Sequence, residues 1–183
     1  MTRETRRVLL EVDGNQVQAE ILPGDRLLRV LRALGFSSIK YGCDTGDCGA
    51  CTILVDGIPH FACLYPAVRA PGRALMTVAA MGHTDALAPL QRAFLERGAA
   101  QCGYCTPAML LVAHALLQRE HVIDEASVRE ALGGVLCRCT GYLKPVEAIR
   151  ACSANQSAEA ALPVVDSAPA IDAIPSASRT RGG

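Results

Sequence analysis

The sequence contains no tryptophan, and aromatic residues together make up only 4% of its 183 positions. It also lacks an excess of either charge, because 18 basic residues balance 18 acidic ones. A nucleic-acid partner held by bulk positive charge is therefore not expected. No stretch approaches the roughly eighteen consecutive apolar residues that a membrane-spanning helix needs. The first residues do not have the pattern of a secretory leader, so we expect a cytoplasmic protein.

Cysteine is the residue that stands out in this composition. Nine cysteines are present, against three phenylalanines and four tyrosines. In a secreted chain such a number would predict a disulfide framework, whereas in a reducing compartment clustered cysteines more often bind metal or carry redox chemistry. Because hydrophobic residues make up 50% of the chain, it can also bury a core of its own.

Residues 1–79 have the pattern of a compact α+β domain. Asp13-Gly14 and Asp56-Gly57 mark two hairpin turns between short apolar segments. Leucines and a valine at helical spacing lie between the hairpins and end at Gly35, which can cap a helix. The predicted elements are a hairpin over 8–12 and 16–22, a helix over 26–34, and a hairpin over 52–55 and 58–63.

Residues 80–152 change character and predict a small all-α domain of four helices. Thr106 is the predicted N-cap of one helix, with Pro107 at its first position. The helices are expected over 86–97, 106–118, 125–132 and 145–152. Residues 153–183 are rich in alanine, serine and proline and have no aromatic residue, which predicts a flexible or partner-bound C-terminal tail.

The first half of the chain holds a C-x4-C-x2-C loop and one later cysteine, namely Cys43, Cys48, Cys51 and Cys63. This is the spacing of plant-type 2Fe–2S sites, in which a tight loop delivers three of the four thiolates. Glycines at positions 42, 46 and 49 let the loop fold closely and turn amide N–H groups toward the sulfurs. The alternatives are buried free thiols or a structural zinc site, although zinc usually pairs two C-x2-C segments.

The second half holds a C-x2-C and a C-x-C segment with the cysteines Cys102, Cys105, Cys137 and Cys139. By itself this pattern fits either a second cluster or a four-cysteine zinc site. Two predicted helix starts lie beside it, and helix dipoles favour an anionic cluster at such a place. Cys152 is outside both sets and is predicted to be a small buried hydrophobe.

Four segments carry a resemblance to a known family. KYGCDTGDCGACTILVDG at residues 40–57 and ACLYPA around Cys63 resemble the plant-type cluster domain of the xanthine oxidase family, the molybdenum hydroxylases. QCGYCTPAML at residues 101–110 and LCRCTGY at residues 136–142 resemble the second cluster domain of the same family. An ordinary plant-type ferredoxin lacks this second half.

The resemblance implies a β-grasp ferredoxin domain followed by a four-helix domain, each with a 2Fe–2S cluster. It also implies the small iron–sulfur subunit of a heteromeric enzyme, in which a medium subunit carries FAD and a large one carries molybdopterin. No catalytic residue is expected on this chain, because the substrate would bind to the large subunit. Electrons would pass singly from molybdopterin through the helical-domain cluster and the β-grasp cluster to FAD. Gln101 would hydrogen-bond the pterin, and Cys139 would be the ligand closest to it.

One departure from the family pattern affects the second cysteine set. Val135 stands where the family often has asparagine, so a side-chain hydrogen bond to the cluster loop is lost. Beside the first set, Asp44 and Asp47 either lower the potential of a cluster or are simply solvated loop residues. The rival function is a free-standing two-cluster electron carrier or redox sensor.

The two sets of four cysteines predict two 2Fe–2S clusters, and therefore four irons and four sulfides per chain. Iron and acid-labile sulfide analysis of the purified chain checks the number, and EPR of the reduced protein should give two distinct signals. Half that iron, accompanied by zinc, would contradict the prediction and indicate one cluster with one structural zinc.

Overall fold

The computed structural model describes residues 4–82, 87–119 and 123–156. Five strands are present: Arg6–Val12 (β1), Asn15–Ile21 (β2), Thr52–Val55 (β3), Ile58–Phe61 (β4) and Ala74–Met76 (β5). The α-helices are Leu27–Ala33 (α1), Pro89–Glu96 (α2), Thr106–Arg119 (α3), Glu125–Leu132 (α4) and Leu143–Gln156 (α5). The strands form one mixed sheet in the order β2-β1-β5-β3-β4. The predicted α+β class, a β-grasp domain followed by four helices, is confirmed.

Both hairpins form at the Asp-Gly turns. β1 pairs antiparallel with β2, and β3 pairs antiparallel with β4. The φ angles are 52° and 77° at Asp13 and Gly14, and 50° and 78° at Asp56 and Gly57. Positive φ at both central residues is the backbone of the two-residue turn that matches the twist of paired strands.

The sequence pattern does not predict β5, which joins the two hairpins into one sheet. β5 runs parallel to β1, with Leu75 opposite Val12, and antiparallel to β3, with Leu75 opposite Val55. A strand of three residues is too short to show the alternation of apolar and polar residues that identifies strands in a sequence.

The two faces of the sheet carry different layers. Ile53 and Val55 belong to the same core as the buried leucines of α1, whereas Leu54 between them belongs to the core around α3. Because side chains alternate along a strand, the helical layer covers the face of the sheet opposite to α1. The hydroxyl of Tyr104, just before α3, donates to the carbonyl of Tyr41, so the loop that leads into β3 lies next to the start of α3.

The helix α3 begins one residue earlier than its predicted cap implies. The amide of Met109 donates to the carbonyl of Cys105 at 3.0 Å, which makes Cys105 the N-cap and places Thr106 in the helix. A cysteine of the second set is therefore fixed directly at the positive end of a helix dipole.

The helix α5 is longer than predicted at both ends. It begins at Leu143, with the amide of Val146 donating to the carbonyl of Tyr142 at 3.0 Å, and it continues to Gln156. Most of the predicted tail, residues 157–183, lies outside the described residues. No helix in the described part of the chain is long and apolar enough to cross a membrane.

Asp13 ties the first hairpin to the segment that leads into the helical layer. Its buried carboxylate accepts the amide N–H of Thr77 at 2.6 Å and the hydroxyl of Thr77 at 2.7 Å. The Thr77 oxygen also accepts the amide of Ala79 at 3.2 Å, at the start of the 3-10 helix Val78–Met81. Burial raises the pKa of Asp13 more than the two bonds from Thr77 lower it. The carboxylate therefore fixes the point at which the chain leaves the sheet.

Asp13→Asn is expected to lower the free energy of unfolding by about 1–3 kcal/mol, because an amide offers one accepting atom where the carboxylate offers two. Asparagine tolerates left-handed backbone, so the turn itself should survive. The matched control is Asp56→Asn, at the exposed Asp-Gly turn, where we expect a much smaller loss. Denaturant unfolding of the two variants measures the difference, and equal losses would show that Asp13 has no special role.

Candidate iron–sulfur sites

The first cysteine set lies where the loop after α1 meets the ends of β3 and β4. Cys43 and Cys48 lie in the loop and are half-buried, whereas Cys51 directly precedes β3 and Cys63 follows β4, both buried. The thiols interact with one another across this loop, Cys43 with Cys48 and Cys51 with Cys63. The structure thus brings together the four residues that the spacing singled out.

The thiols of this set differ in how readily they ionise. The Cys43 sulfur accepts the amides of Thr45 at 3.5 Å and Cys48 at 3.4 Å. The side chain and amide of Thr45, followed by Cys48, lower the pKa of Cys43 to about 6. Burial, with the thiol of Cys63 adding to it, raises the pKa of Cys51 to about 12. Cys43 is therefore ready to bind as a thiolate near neutral pH, whereas Cys51 loses its proton only to a bound cation.

Glycines shape the loop around these sulfurs. A Cβ at Gly42 would lie 2.5 Å from the Sγ of Cys48, and a Cβ at Gly46, where φ is 91°, would lie 2.6 Å from Cδ1 of Leu64. A side chain at Gly42 would therefore displace the Cys48 sulfur, and one at Gly46 would be strained by its left-handed backbone and would push Leu64 aside. Amides aimed at sulfur and glycines without room for a side chain are what a cluster-binding loop requires.

The second set gathers between the start of α3 and the loop before α5. Cys105 caps α3 and is buried, Cys137 is half-buried, and Cys102 and Cys139 are exposed. The Sγ atoms of Cys139 and Cys102 are 3.6 Å apart. Burial, together with the adjacent thiol of Cys137, raises the pKa of Cys105 to about 12. Half of this site is therefore open to the surface, and half is covered by the helical core.

The thiols of both sites meet in pairs. The pairs are Cys43 with Cys48, Cys51 with Cys63, Cys102 with Cys139, and Cys105 with Cys137. A 2Fe–2S cluster holds two irons between four thiolates, so two pairs at each site match its donor set. A zinc site instead needs its ligands around one point. Within the described ranges, no three histidine, cysteine or acidic side chains are placed to hold a single ion.

The two sites share a backbone contact. The N–H of Leu136 donates to the carbonyl of Cys48 at 2.9 Å, so the residue next to Cys137 bonds to a residue of the first set. At the same place, a Cβ on Gly49, where φ is 68°, would lie 1.9 Å from the carbonyl oxygen of Gly134. We call this contact the seam. The cysteine spacing does not predict it, and in the sequence it is reflected in the glycine at position 49.

The two acidic residues beside the first site, Asp44 and Asp47, accept hydrogen bonds from neighbouring side chains. Arg29 donates to the Asp44 carboxylate at 2.7 Å, and the Tyr41 hydroxyl donates to it at 3.0 Å. Arg29 first, and then Tyr41, lower the pKa of Asp44 below its usual range. Asp47 accepts the hydroxyl of Thr45. The negative charge of Asp44 is thus balanced by a neighbouring cation, which limits its effect on the site.

The remaining residues from the sequence analysis lie in contrasting surroundings. Gln101 is exposed beside Cys102. Val135 is fully buried in the helical core, so this position lies in apolar packing and not on the open face of the loop. Cys152 is buried in the same core, as predicted.

Two family models match the chain. Residues 10–73 match a 2Fe-2S iron-sulfur cluster binding domain, and residues 77–150 match a 2Fe-2S binding domain. The first match contains Cys43, Cys48, Cys51 and Cys63, and the second contains Cys102, Cys105, Cys137 and Cys139.

Two relatives match this chain over almost their whole length. The chain is 38% identical over 151 residues to the xanthine dehydrogenase iron-sulfur-binding subunit of Escherichia coli O157:H7, covering 81% of this chain and 95% of that protein. It is 40% identical over 142 residues to the nicotinate dehydrogenase small FeS subunit of Eubacterium barkeri, covering 77% and 90%. Among solved structures, quinoline 2-oxidoreductase from Pseudomonas putida 86 superposes with a TM-score of 0.80 at 35% identity, covering 85% of this chain and 98% of the matched chain.

Gly49→Ala is expected to force the two cysteine loops apart, because its Cβ has no room against the Gly134 carbonyl. We expect less bound iron at both sites and faster iron loss to a chelator. Gly72→Ala is the matched control: its φ of 75° imposes similar left-handed strain, but nothing lies within 4 Å of the new Cβ and the residue is outside both cysteine loops. Iron analysis that finds both variants equally loaded would show that the seam does not support the sites.

Proposed function

The chain belongs to the iron–sulfur subunits of the xanthine dehydrogenase family, and from this membership we propose that it relays electrons within a molybdenum-containing oxidoreductase. Single electrons leave a molybdopterin centre on a large partner chain and pass the second site and then the first site of this chain. They end on FAD, held by a medium partner chain. The substrate binds to the large partner, and no substrate chemistry belongs to this chain.

The observation that carries the proposal is the seam between the two sites. A relay needs its two centres close together, and a path of covalent and hydrogen bonds between them assists electron transfer. From Cys137, the path follows the backbone to Leu136, crosses the 2.9 Å hydrogen bond to the carbonyl of Cys48, and continues along that residue to its sulfur. Two unrelated metal sites in one chain would have no need of such a contact.

We assign two 2Fe–2S clusters to the cysteine ligands Cys43, Cys48, Cys51, Cys63, Cys102, Cys105, Cys137 and Cys139. When bound, each cluster takes up and gives back one electron. The chain holds the thiolates in pairs, and at the first site it aims the amides of Thr45 and Cys48 at a sulfur. It also keeps Cys51 and Cys63 away from water. Hydrogen bonds and burial are the means by which a protein tunes such a centre.

The exposure of the second site supports its place at the molybdenum end. Cys102 and Cys139 reach the surface, so a cofactor held by a partner can approach them directly. Gln101 is exposed beside them, and we assign its side chain to a hydrogen bond with the pterin. Cys139 is the ligand assigned to lie nearest that pterin.

Exposed apolar side chains around the sites support membership of a complex over a free-standing carrier. Leu136 is 59% exposed and Leu143 is 55% exposed beside the second site, and Leu64 is 49% exposed beside Gly46 of the first. A freely diffusing carrier gains nothing from apolar groups in water around its redox centres. A chain that works in a complex buries them against its partners, as the cores of protein interfaces do.

We expect Cys48→Ala, in a complex purified from the source cells through a tag on this chain, to interrupt the relay between its two sites. The substitution removes one ligand of the first site but keeps the carbonyl of the seam. After mixing with a substrate found by screening N-heteroaromatic compounds and aldehydes, EPR should show the second cluster reduced while absorbance shows the flavin oxidised. Cys152→Ala is the control, because this buried cysteine belongs to neither set.

Two results would overturn this proposal. The first is that the tagged wild-type chain elutes alone as a stable monomer with both clusters, which is the behaviour of a free carrier. The second is that the Cys48→Ala complex loses iron from the first site and still reduces the flavin of its partner chain as fast as the Cys152→Ala complex does.

A further inference from the structure

Four hydrogen bonds close a ring around Cys137. The Thr140 hydroxyl lies 3.0 Å from the Cys137 sulfur, and the amide of Tyr142 donates to the same hydroxyl oxygen at 3.2 Å. On the other side, the amide of Cys137 donates to the Tyr142 hydroxyl oxygen at 2.8 Å, and that hydroxyl donates to the Val135 carbonyl at 2.9 Å. Cys137 is thus contacted at its sulfur by one side chain and at its amide by another.

The backbone before α5 is bent so that Tyr142 can reach this position. Gly141 and Tyr142 both have left-handed backbone, with φ of 59° and 66°. For a bulky residue such a φ is uncommon and costs free energy that the surroundings must offset. The ring of Tyr142 packs against the helical core, and its hydroxyl makes the two bonds to the loop. The turn is therefore held in place by the contacts that Tyr142 makes with the loop of Cys137.

The direction of the Thr140 hydrogen bond follows from its neighbours. The Thr140 oxygen already accepts the amide of Tyr142, so its hydrogen is available to the Cys137 sulfur. A thiolate bound to iron can only accept. A donor on a cluster ligand stabilises the form with more negative charge, which is the reduced form.

The Tyr142 hydroxyl acts in the opposite sense. Because its hydrogen points to the Val135 carbonyl, its oxygen, the negative end of the dipole, faces the amide of Cys137. It also occupies an N–H group that could otherwise turn toward a cluster sulfur. Both effects disfavour added negative charge at this site.

Building on the proposed relay, we propose that Thr140 and Tyr142 are positioning residues that set the reduction potential of the second cluster in opposite directions. Thr140 raises the potential through the sulfur of Cys137, and Tyr142 lowers it through the amide. The pair thereby fixes the potential of the cluster that receives electrons first.

The test is a redox titration of the purified complex, followed by the separate EPR signals of the two clusters. At a fixed solution potential, Thr140→Val should lower the reduced-to-oxidised ratio of the second cluster, and Tyr142→Phe should raise it. We expect each change to be between about threefold and tenfold, where tenfold corresponds to about 59 mV for a one-electron couple. The first cluster is the internal standard. Tyr104→Phe is the control, because this tyrosine lies in the same site but its hydroxyl bonds to the Tyr41 carbonyl.

EPR signals and iron content together separate a failure of this inference from a failure of the proposed relay. A wild-type complex without two EPR signals would refute the relay, whereas four irons with unchanged potentials in both variants would overturn only the roles of Thr140 and Tyr142. A shift of both variants in the same direction would also overturn the inference, because it would indicate general loosening of the loop. If Tyr142→Phe loses the second cluster, its assigned role is wrong, and the potential of Thr140→Val decides the role of Thr140.

Discussion

The backbone hydrogen bond between the Cys48 carbonyl and the Leu136 amide is the constraint on which the two-site arrangement depends. It requires two loops from distant parts of the chain to approach until only glycine fits, at Gly49 against Gly134. The rest of the fold serves that approach. Leu54 of β3 packs into the helical core, and the carboxylate of Asp13 fixes where the chain leaves the sheet.

Each site combines an inner pair of thiols with a more exposed outer pair. At the second site, Cys105 with Cys137 is the inner pair and Cys102 with Cys139 is the outer one. At the first site, Cys51 with Cys63 is the inner pair and Cys43 with Cys48 is the outer one. The seam connects Leu136, the neighbour of Cys137, with Cys48. The proposed electron path therefore enters at an exposed pair, crosses the protein through bonds, and leaves at the half-buried pair of the first loop.

Burial makes metal binding and folding depend on one another. A thiol with a pKa of about 12, as at Cys51 and Cys105, is neutral near pH 7, and as a proposed cluster ligand it must release a proton when iron binds. The side chain and amide of Thr45, followed by Cys48, lower the pKa of Cys43 to about 6, so among the proposed ligands it is readily a thiolate near neutral pH.

The sequence alone predicted the cluster class, both hairpins and the four described α-helices after residue 80, and it singled out the eight cysteines, because each rests on spacing or on a turn residue read locally. It also indicated the buried role of Cys152. It did not reveal the three-residue strand β5, the N-cap role of Cys105, the ion pair of Asp44 with Arg29, or the ring around Cys137. Only the tertiary structure decided that the two sites meet. That contact depends on how two loops from distant parts of the chain pack, and a hydrogen bond between residues so far apart leaves no periodic pattern in the sequence.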